Sequence, residues 1–360
     1  MSTSFNLIAV AGATGAVGRE ILAILESRGV EASRIRALAS SRSAGTFLPY
    51  AGSRLEVRSL GPHSFDGCGL ALFATPSSIS RCFAPEALAA GAAVVDNSSA
   101  FRHEAGVPLV IPEVNASELL TLDPERRLVA NPNCSTILLL VALEPLRRTF
   151  GVRRIDVTTY QAVSGAGAAG IDELLAQTRE HLAGGDLAPK VFHEPCAFNV
   201  FSHNSGVDLS SGLNGEETKI IRETRRIWND EQVEICPTCV RVPAVRAHAE
   251  AVTVTLKTPA TEAQVRAAFD GAAGVRIIDD RASNSFPTSH KATGLDDVLV
   301  GRLRRDPSQS GSSTLGTRFC LFLSGDQIRK GAALNAIQIA DLLEAGWNSG
   351  PRARCVSTSA

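Results

Sequence analysis

No excess of either charge marks this chain. Its 36 lysines and arginines face 37 aspartates and glutamates, a formal net charge of -1 over 360 residues. Nothing in that balance calls for nucleic acid or an anionic membrane surface as a partner. No window reaches the roughly 18 consecutive apolar residues of a membrane-spanning helix. Met1 to Asn6 is short and polar, without the basic and apolar regions of a secretory signal, and a cytoplasmic location is the default expectation. There is no internal repeat. The 8 cysteines are scattered. Cys236 and Cys239 form a C-x-x-C, but no second close pair completes a zinc site. No metal is expected, and the pair reads as a redox dithiol or, more simply, as core packing.

What is present is a chain 44% hydrophobic and 20% charged, the composition of a globular enzyme-like protein, and too long for one ordinary core. Leu7 to Val10 reads as a buried strand that runs into Gly12-Ala13-Thr14-Gly15-Ala16-Val17-Gly18. A helix, Arg19 to Ser27, follows. Strand, glycine turn and helix give a variant dinucleotide fingerprint. Gly12 makes the turn, Gly15 lets the backbone approach a phosphate, and Gly18 lets the helix pack on the sheet. A tight turn without ligand is the alternative. The next strand, Ile35 to Ala39, ends in Ser40-Ser41-Arg42-Ser43 with no acid to accept ribose hydroxyls. Serines and an arginine suit a 2′-phosphate, which favours NADP over NAD; an ordinary solvated loop is the alternative. Strands at 70–74 and 92–96 continue the alternation. The second ends in the polar run Asn97 to Arg102, a candidate wall of the site. This pattern predicts a Rossmann-type, doubly wound parallel sheet.

The organising stretch is Asn131-Pro132-Asn133-Cys134-Ser135-Thr136, followed by the apolar run Ile137 to Leu143. Cys134 falls in or near a first helical turn, where free N–H groups and the helix dipole stabilise a thiolate. A buried filler cysteine is the other reading. Beyond Phe150 the pattern changes to an α+β second domain, with β-branched alternation from Arg154 to Tyr160 and a glycine-rich loop, Gln161 to Gly170. Residues 190–212 form a long irregular segment, expected to be a functional or interface loop. Glu216 and Lys219 share a helix face; by spacing alone a surface pair is the simpler account. Arg241 and His248 flank a proline turn, and a structural histidine is the commoner case there. A last helix, Ala332 to Ala345, with Ala333, Ile337, Ala340 and Leu343 inward, is expected to return to the first domain.

Taken in order, Gly12 to Gly18, Asn97 to Arg102, Pro132 to Thr136, Tyr160 to Gly167, Arg241 to His248 and Arg329 to Asn335 resemble the aspartate-semialdehyde dehydrogenase family over nearly the whole chain. Phe201 to Ser205 and Gly325 to Lys330 resemble its plant, cyanobacterial and broader bacterial branch. The resemblance implies an NADP-dependent enzyme of lysine, threonine and methionine biosynthesis that reduces L-4-aspartyl phosphate to L-aspartate-4-semialdehyde and releases inorganic phosphate. On it Cys134 is the nucleophile, His248 the acid/base and Gln161 the residue orienting substrate and intermediate. Arg241 grips the α-carboxylate, Glu216 reads the α-amine, Arg102 and Lys219 bind phosphate, and Asn133 steadies the oxyanion. The implied cofactor set is Gly12, Thr14, Gly15, Ala16, Val17, Gly18, Ser40, Ser41, Arg42, Thr75, Asn97, Ser164, Gly165 and Asn335. A homodimer is implied, with a tetramer as the alternative, and the second domain is catalytic as well as dimerising. The expected organisation is 1–130 for NADP, 131–325 for catalysis and dimerisation, 326–350 for the returning helix and 351–360 for a flexible tail. N-acetyl-gamma-glutamyl-phosphate reductase, an acyl-CoA reductase and a non-catalytic NADP-binding protein are the rival readings.

Overall fold

A computed structural model describes residues 5–122, 126–309 and 314–348; the tail expected at 351–360 lies outside them. The chain divides into two compact units, Met1–Pro132 with Ala332–Ala360, and Asn133–Gly331.

The first unit holds a seven-stranded sheet built from β1 (Ile8–Ala11), β2 (Ile35–Ala39), β3 (Phe47–Tyr50), β4 (Ser53–Ser59), β5 (Leu70–Phe73), β6 (Ala93–Asp96) and β7 (Leu128–Ala130). The order is β3-β4-β2-β1-β5-β6-β7. All pairings are parallel except β3 with β4. Strands β1, β5 and β6 are buried at every position, which is why they read as unbroken apolar runs. Helices α1 (Ala16–Ser27), α2 (Ser77–Ala89) and the short α3 (Pro112–Asn115) belong to this unit. The chain leaves β1 for β2 on one side and β5 lies on the other, so the topological switch point falls at the carboxyl end of β1, beside Gly12. The β3–β4 hairpin has no counterpart in the sequence reading. Its turn carries left-handed backbone at Ala51 and Gly52, as a two-residue hairpin requires, and Pro49 is tolerated because β3 is the edge strand.

The second unit opens with α4 (Cys134–Phe150), whose residues Ile137 to Leu143 are all buried. Its mixed sheet contains β8 (Val152–Gln161), β9 (Phe201–Ser202), β10 (Glu234–Arg241), β11 (His248–Ala260), β12 (Val275–Ile277), β13 (Val298–Arg305) and β14 (Gly316–Gly325), in the order β12-β13-β14-β11-β8-β10-β9. Helices α5 (Ala168–Leu182), α6 (Gly215–Trp228), α7 (Glu262–Ala267) and α8 (Ser289–Ala292) complete it. Helix α4 packs on β8, β11, β13 and β14, and α6 on β10. Helix α6 starts at a capping box in which Asn214 accepts from the Glu217 N–H and the Glu217 carboxylate accepts from the Asn214 N–H. Residues 190–212 contain only the two-residue β9. The C-x-x-C is not a packed pair. Cys236 is exposed and Cys239 buried, because residues three apart on a strand face opposite sides.

The chain then passes through a π-helical turn, Arg329–Ala333, into α9 (Leu334–Asn348). Ala333, Ile337 and Ala340 sit in the first unit's core with Ile8, Val10 and Ile21, and Leu343 packs against it. The helix begins later than the expected Ala332, since the wider π turn occupies its first positions.

Glu250, on β11, is wholly buried, and neither carboxylate oxygen has a partner among the described residues. Burial therefore raises its pKa well above the usual 4.5. The folded state keeps the proton while the unfolded state releases it, so stability falls as pH rises above about 4.5. Glu250→Gln is expected to remove that loss. Urea unfolding across pH 4.5 to 8 should give a stability advantage of the variant that grows with pH, and a constant difference would refute the buried neutral carboxyl.

Candidate active site

Asn133 is the N-cap of α4. Its Oδ1 accepts from the backbone N–H of Ser135 at 3.1 Å and of Thr136 at 3.3 Å, which satisfies two of the donors a helix start leaves open. Its own backbone N–H donates to Glu223 Oε2 at 2.6 Å. Cys134 is thereby fixed as the first residue of α4, partly exposed, at the positive end of the dipole. Gly331 lies hard against it: a Cβ there would stand 2.9 Å from Cys134 Cβ.

Three further residues expected at the site converge on one carboxylate. Glu216 Oε1 accepts from Asn133 Nδ2 at 2.8 Å and from Gln161 Nε2 at 3.0 Å, and Oε2 accepts from Lys219 Nζ at 2.9 Å. Burial pushes the Glu216 pKa up. The charge of Lys219, that of His203 once it protonates at low pH, and the hydrogen bonds from Lys219 and Asn133 outweigh that and hold it well below the usual range. Glu216 is thus ionised and already carries a cation. Asn133 gives Glu216 one of its two amide N–H donors. Gln161, the last residue of β8, also donates Nε2 to Ser135 Oγ at 2.8 Å. Its buried Oε1 has no partner among the described residues.

His248 opens β11 and is fully buried. The Ala162 N–H donates to its Nδ1 at 3.0 Å, so the neutral ring carries its proton on Nε2, which is buried and without a partner among the described residues. Burial, then the Arg241 charge, lowers its pKa to about 3. The preceding residue, Ala247, has left-handed backbone, φ 68°, and its N–H is held by Gln327 Oε1 at 2.8 Å. Gln327 in turn donates Nε2 to Ser164 Oγ. Neither Gln327 nor the strained Ala247 emerged from the sequence. A non-glycine residue beside a candidate histidine carries no composition signal for such a backbone.

Arg241 ends β10 and is almost fully buried. Its Nη1 donates to Ala162 O at 2.7 Å, and its Nη2 donates to Asn204 Oδ1 and His203 Nε2, each at 2.9 Å. The guanidinium lies 5.3 Å from the Phe192 ring centroid. Its Nε is buried and unpartnered among the described residues. A Cβ at Gly165 would come within 3.2 Å of Arg241 Nη1 and 3.6 Å of His248 Nε2, so the two donors border the same space and the absence of a side chain keeps it open.

The remaining candidates lie in the first unit. Gly15 is the N-cap of α1 and no side chain caps the helix, leaving its N–H groups for an anion. Cβ atoms at Gly12 and Gly18 would stand 2.2 Å from Ala74 O and 2.1 Å from Gly12 O. Thr14 O accepts from Arg19 Nε, and Ala16 and Val17 form the first turn of α1. Ser40, Ser41 and Arg42 are exposed beyond β2. Thr75 contacts Ser80 through their hydroxyls at 2.9 Å, and the Ser80 hydroxyl donates to Asp96 at 2.7 Å. Asn97 is anchored to Phe73 O and accepts from Asn131. Asn335 is buried and donates to Val110 O and Asn131 Oδ1. Arg102 donates to Asn131 O and Asn97 O.

Two family models match the chain: the semialdehyde dehydrogenase NAD binding domain over residues 7–122 and the semialdehyde dehydrogenase dimerisation domain over residues 143–330. The chain is 45% identical to an aspartate-semialdehyde dehydrogenase of Synechocystis over 94% of its own length and 98% of the relative's. It is 42% identical to that of Legionella pneumophila, covering 96% and 97%. A crystal structure of aspartate semialdehyde dehydrogenase II from Vibrio cholerae, complexed with ASA, superposes with a TM-score of 0.89 at 40% identity, covering 94% of this chain and 98% of that one.

Gly331→Ala is expected to displace Cys134 from the start of α4, because the new Cβ falls below any normal carbon contact. Alkylation of Cys134 by iodoacetamide, followed by mass spectrometry, should slow or accelerate by about tenfold while the thermal transition stays cooperative. An unchanged rate would mean that the packing of Gly331 does not set the thiol's position.

Proposed function

The chain belongs to the aspartate-semialdehyde dehydrogenase family of oxidoreductases, and from that premise we propose that it catalyses the NADP-dependent reductive dephosphorylation of L-4-aspartyl phosphate to L-aspartate-4-semialdehyde through a thioester on Cys134. The observation that carries this reading is Cys134 at the first turn of α4, in a unit that also buries Arg241 without a carboxylate partner among the described residues. The reaction serves lysine, threonine and methionine biosynthesis in the cytoplasm. A homodimer formed through the second unit is the proposed assembly, and the proposed branch is the one shared by plants, cyanobacteria and many other bacteria.

The Cys134 thiolate, favoured by the helix start, attacks the acyl carbon and forms the C–S bond as the C–O bond to phosphate breaks. Inorganic phosphate leaves, with Arg102 and Lys219 as its proposed ligands. NADPH, when bound, supplies the hydride that turns the thioester into a thiohemiacetal oxyanion. His248 enters with the proton on Nε2 and Nδ1 occupied by Ala162. In the resting ring it is a donor to the developing oxyanion rather than the acceptor of the thiol proton. Collapse of the oxyanion expels the thiolate and yields the aldehyde. Arg241 is the proposed grip on the substrate α-carboxylate, with its Nε–H unpartnered among the described residues. Gln161 presents its unpartnered Oε1 to the substrate side, and Glu216 reads the amine in exchange with Lys219.

The first unit fits NADP on its own residues. The uncapped α1 start at Gly15 suits the pyrophosphate, and Ser40, Ser41 and Arg42 suit a 2′-phosphate with no acid to oppose it. N-acetylglutamyl phosphate is the weaker substrate because its acetylated amine brings no cation to exchange with Lys219 at Glu216.

The purified protein with L-aspartate-4-semialdehyde, NADP and phosphate should produce NADPH, with turnover lost when phosphate is omitted or NAD replaces NADP. Cys134→Ser should lower turnover by about three orders of magnitude; near-normal activity would sink the thioester scheme. Because His248 titrates far below neutrality, at about 3, kcat/KM should show no histidine limb from His248 between pH 5 and 8. An inflection near the usual 6.5 that disappears in His248→Asn would show the ring acting as a base.

A further inference from the structure

His203 belongs to the irregular segment ahead of α6, and it touches the carboxylate-binding arginine directly. Arg241 Nη2 can only donate, so His203 Nε2, 2.9 Å away, is the acceptor. A neutral ring must then hold its proton on Nδ1, which faces Ser205 Oγ at 3.1 Å. The Ser205 backbone N–H also points at Nδ1, at 3.2 Å; a neutral ring can accept from only one of the two donors, and the shorter bond, from the Arg241 cation, takes precedence. Ser205 Oγ also accepts from the Glu216 N–H at 3.1 Å and reaches Asn214 Oδ1 at 3.4 Å. Asn214 caps α6, the helix that carries Glu216 and Lys219. One polar chain therefore runs from the Arg241 guanidinium through His203 and Ser205 to the start of α6.

We propose that His203 is the positioning residue of Arg241, and that the His203–Ser205–Asn214 chain sets the spacing between Arg241 and Glu216, so that the site selects substrates bearing a carboxylate and an amine on the same carbon. This rests on the functional reading above. The arrangement needs a neutral ring, since a cation would have no lone pair for Arg241. The charged and titratable groups facing His203 are Glu216, which favours protonation, and Arg241, Lys219 and His193, which oppose it; burial is the largest influence, and together they hold the pKa at about 4. Without His203, Nη2 keeps Asn204 and Nη1 keeps Ala162 O, and the guanidinium loses one of the bonds that fix its orientation.

The test compares L-aspartate-4-semialdehyde with 3-aminopropanal, the same aldehyde without its carboxylate, in wild type, His203→Leu and His203→Gln. Leucine fills the space without an acceptor; glutamine restores an acceptor near the Nε2 position. The ratio of kcat/KM for the two substrates should fall about tenfold or more in His203→Leu, chiefly through KM of the semialdehyde, as expected for a lost hydrogen bond to a charged group. In His203→Gln it should stay within about threefold of wild type. An unchanged ratio in His203→Leu, or an equal loss on both substrates, overturns the proposal. Nitrogen-15 NMR of the wild-type protein reads the hold without any turnover. The His203 ring should be neutral with the proton on Nδ1 from pH 6 to 8, and an Nε2–H tautomer or a cation there overturns it. Should wild type act on neither aldehyde, the functional reading fails, while the NMR result still decides whether His203 holds Arg241.

Discussion

The buried carboxylate of Glu216 is the constraint on which the candidate site depends. It joins three elements that sequence separates widely. Asn133 sits at the head of α4, Gln161 at the end of β8, and Glu216 and Lys219 in the first turns of α6. A buried ion without donors would cost several kcal/mol. Here three donors meet it, and their geometry is fixed in return. Asn133 cannot turn toward Glu216 without also presenting Oδ1 to the N–H groups of Ser135 and Thr136, so the same side chain places the helix that carries Cys134.

Electrostatics divides the second unit's buried groups into two kinds. Glu216 stays charged because donors compensate its burial, whereas Glu250, equally buried and without a partner among the described residues, takes the neutral form. His203 and His248 are both held neutral, each with one ring nitrogen accepting from a fixed donor. Lys219 is paired with Glu216, whereas Arg241, beside Gly165, has no hydrogen-bonded carboxylate among the described residues.

The features legible in the sequence were those written in short spans. Four or five consecutive residues sufficed for the buried runs of β1, β5 and β6, and the Gly12 to Gly18 turn declared its own sterics. Cys134 was visible because a polar cap precedes a long apolar run. The β3–β4 hairpin was not visible, since Pro49 argues against a strand until the strand is known to be an edge. In the sequence Cys236 and Cys239 look like a unit, whereas the strand sends the two sulfurs to opposite faces, one exposed and one buried. What Glu216 does was outside reach for a different reason. Its nearest sequence neighbour of opposite charge, Lys219, gives only a surface-pair signal, and Asn133 and Gln161 lie 83 and 55 residues away. The proton on His248 was fixed by the backbone of Ala162, which no side-chain pattern encodes.

The first unit is written in two pieces. Its core needs Ala333 of the π turn and Ile337 and Ala340 of α9 together with Ile8 and Val10, yet about 200 residues of the second unit intervene. During synthesis from the amino end, β1 through β7 leave the ribosome with one side of their apolar surface uncovered. The continuous stretch from Asn133 to Gly331 can finish folding before that cover arrives. The order of emergence is therefore the reverse of the order of completion, and the nascent chain's longest-lived sticky surface is the face of β1 and β5 that α9 later closes.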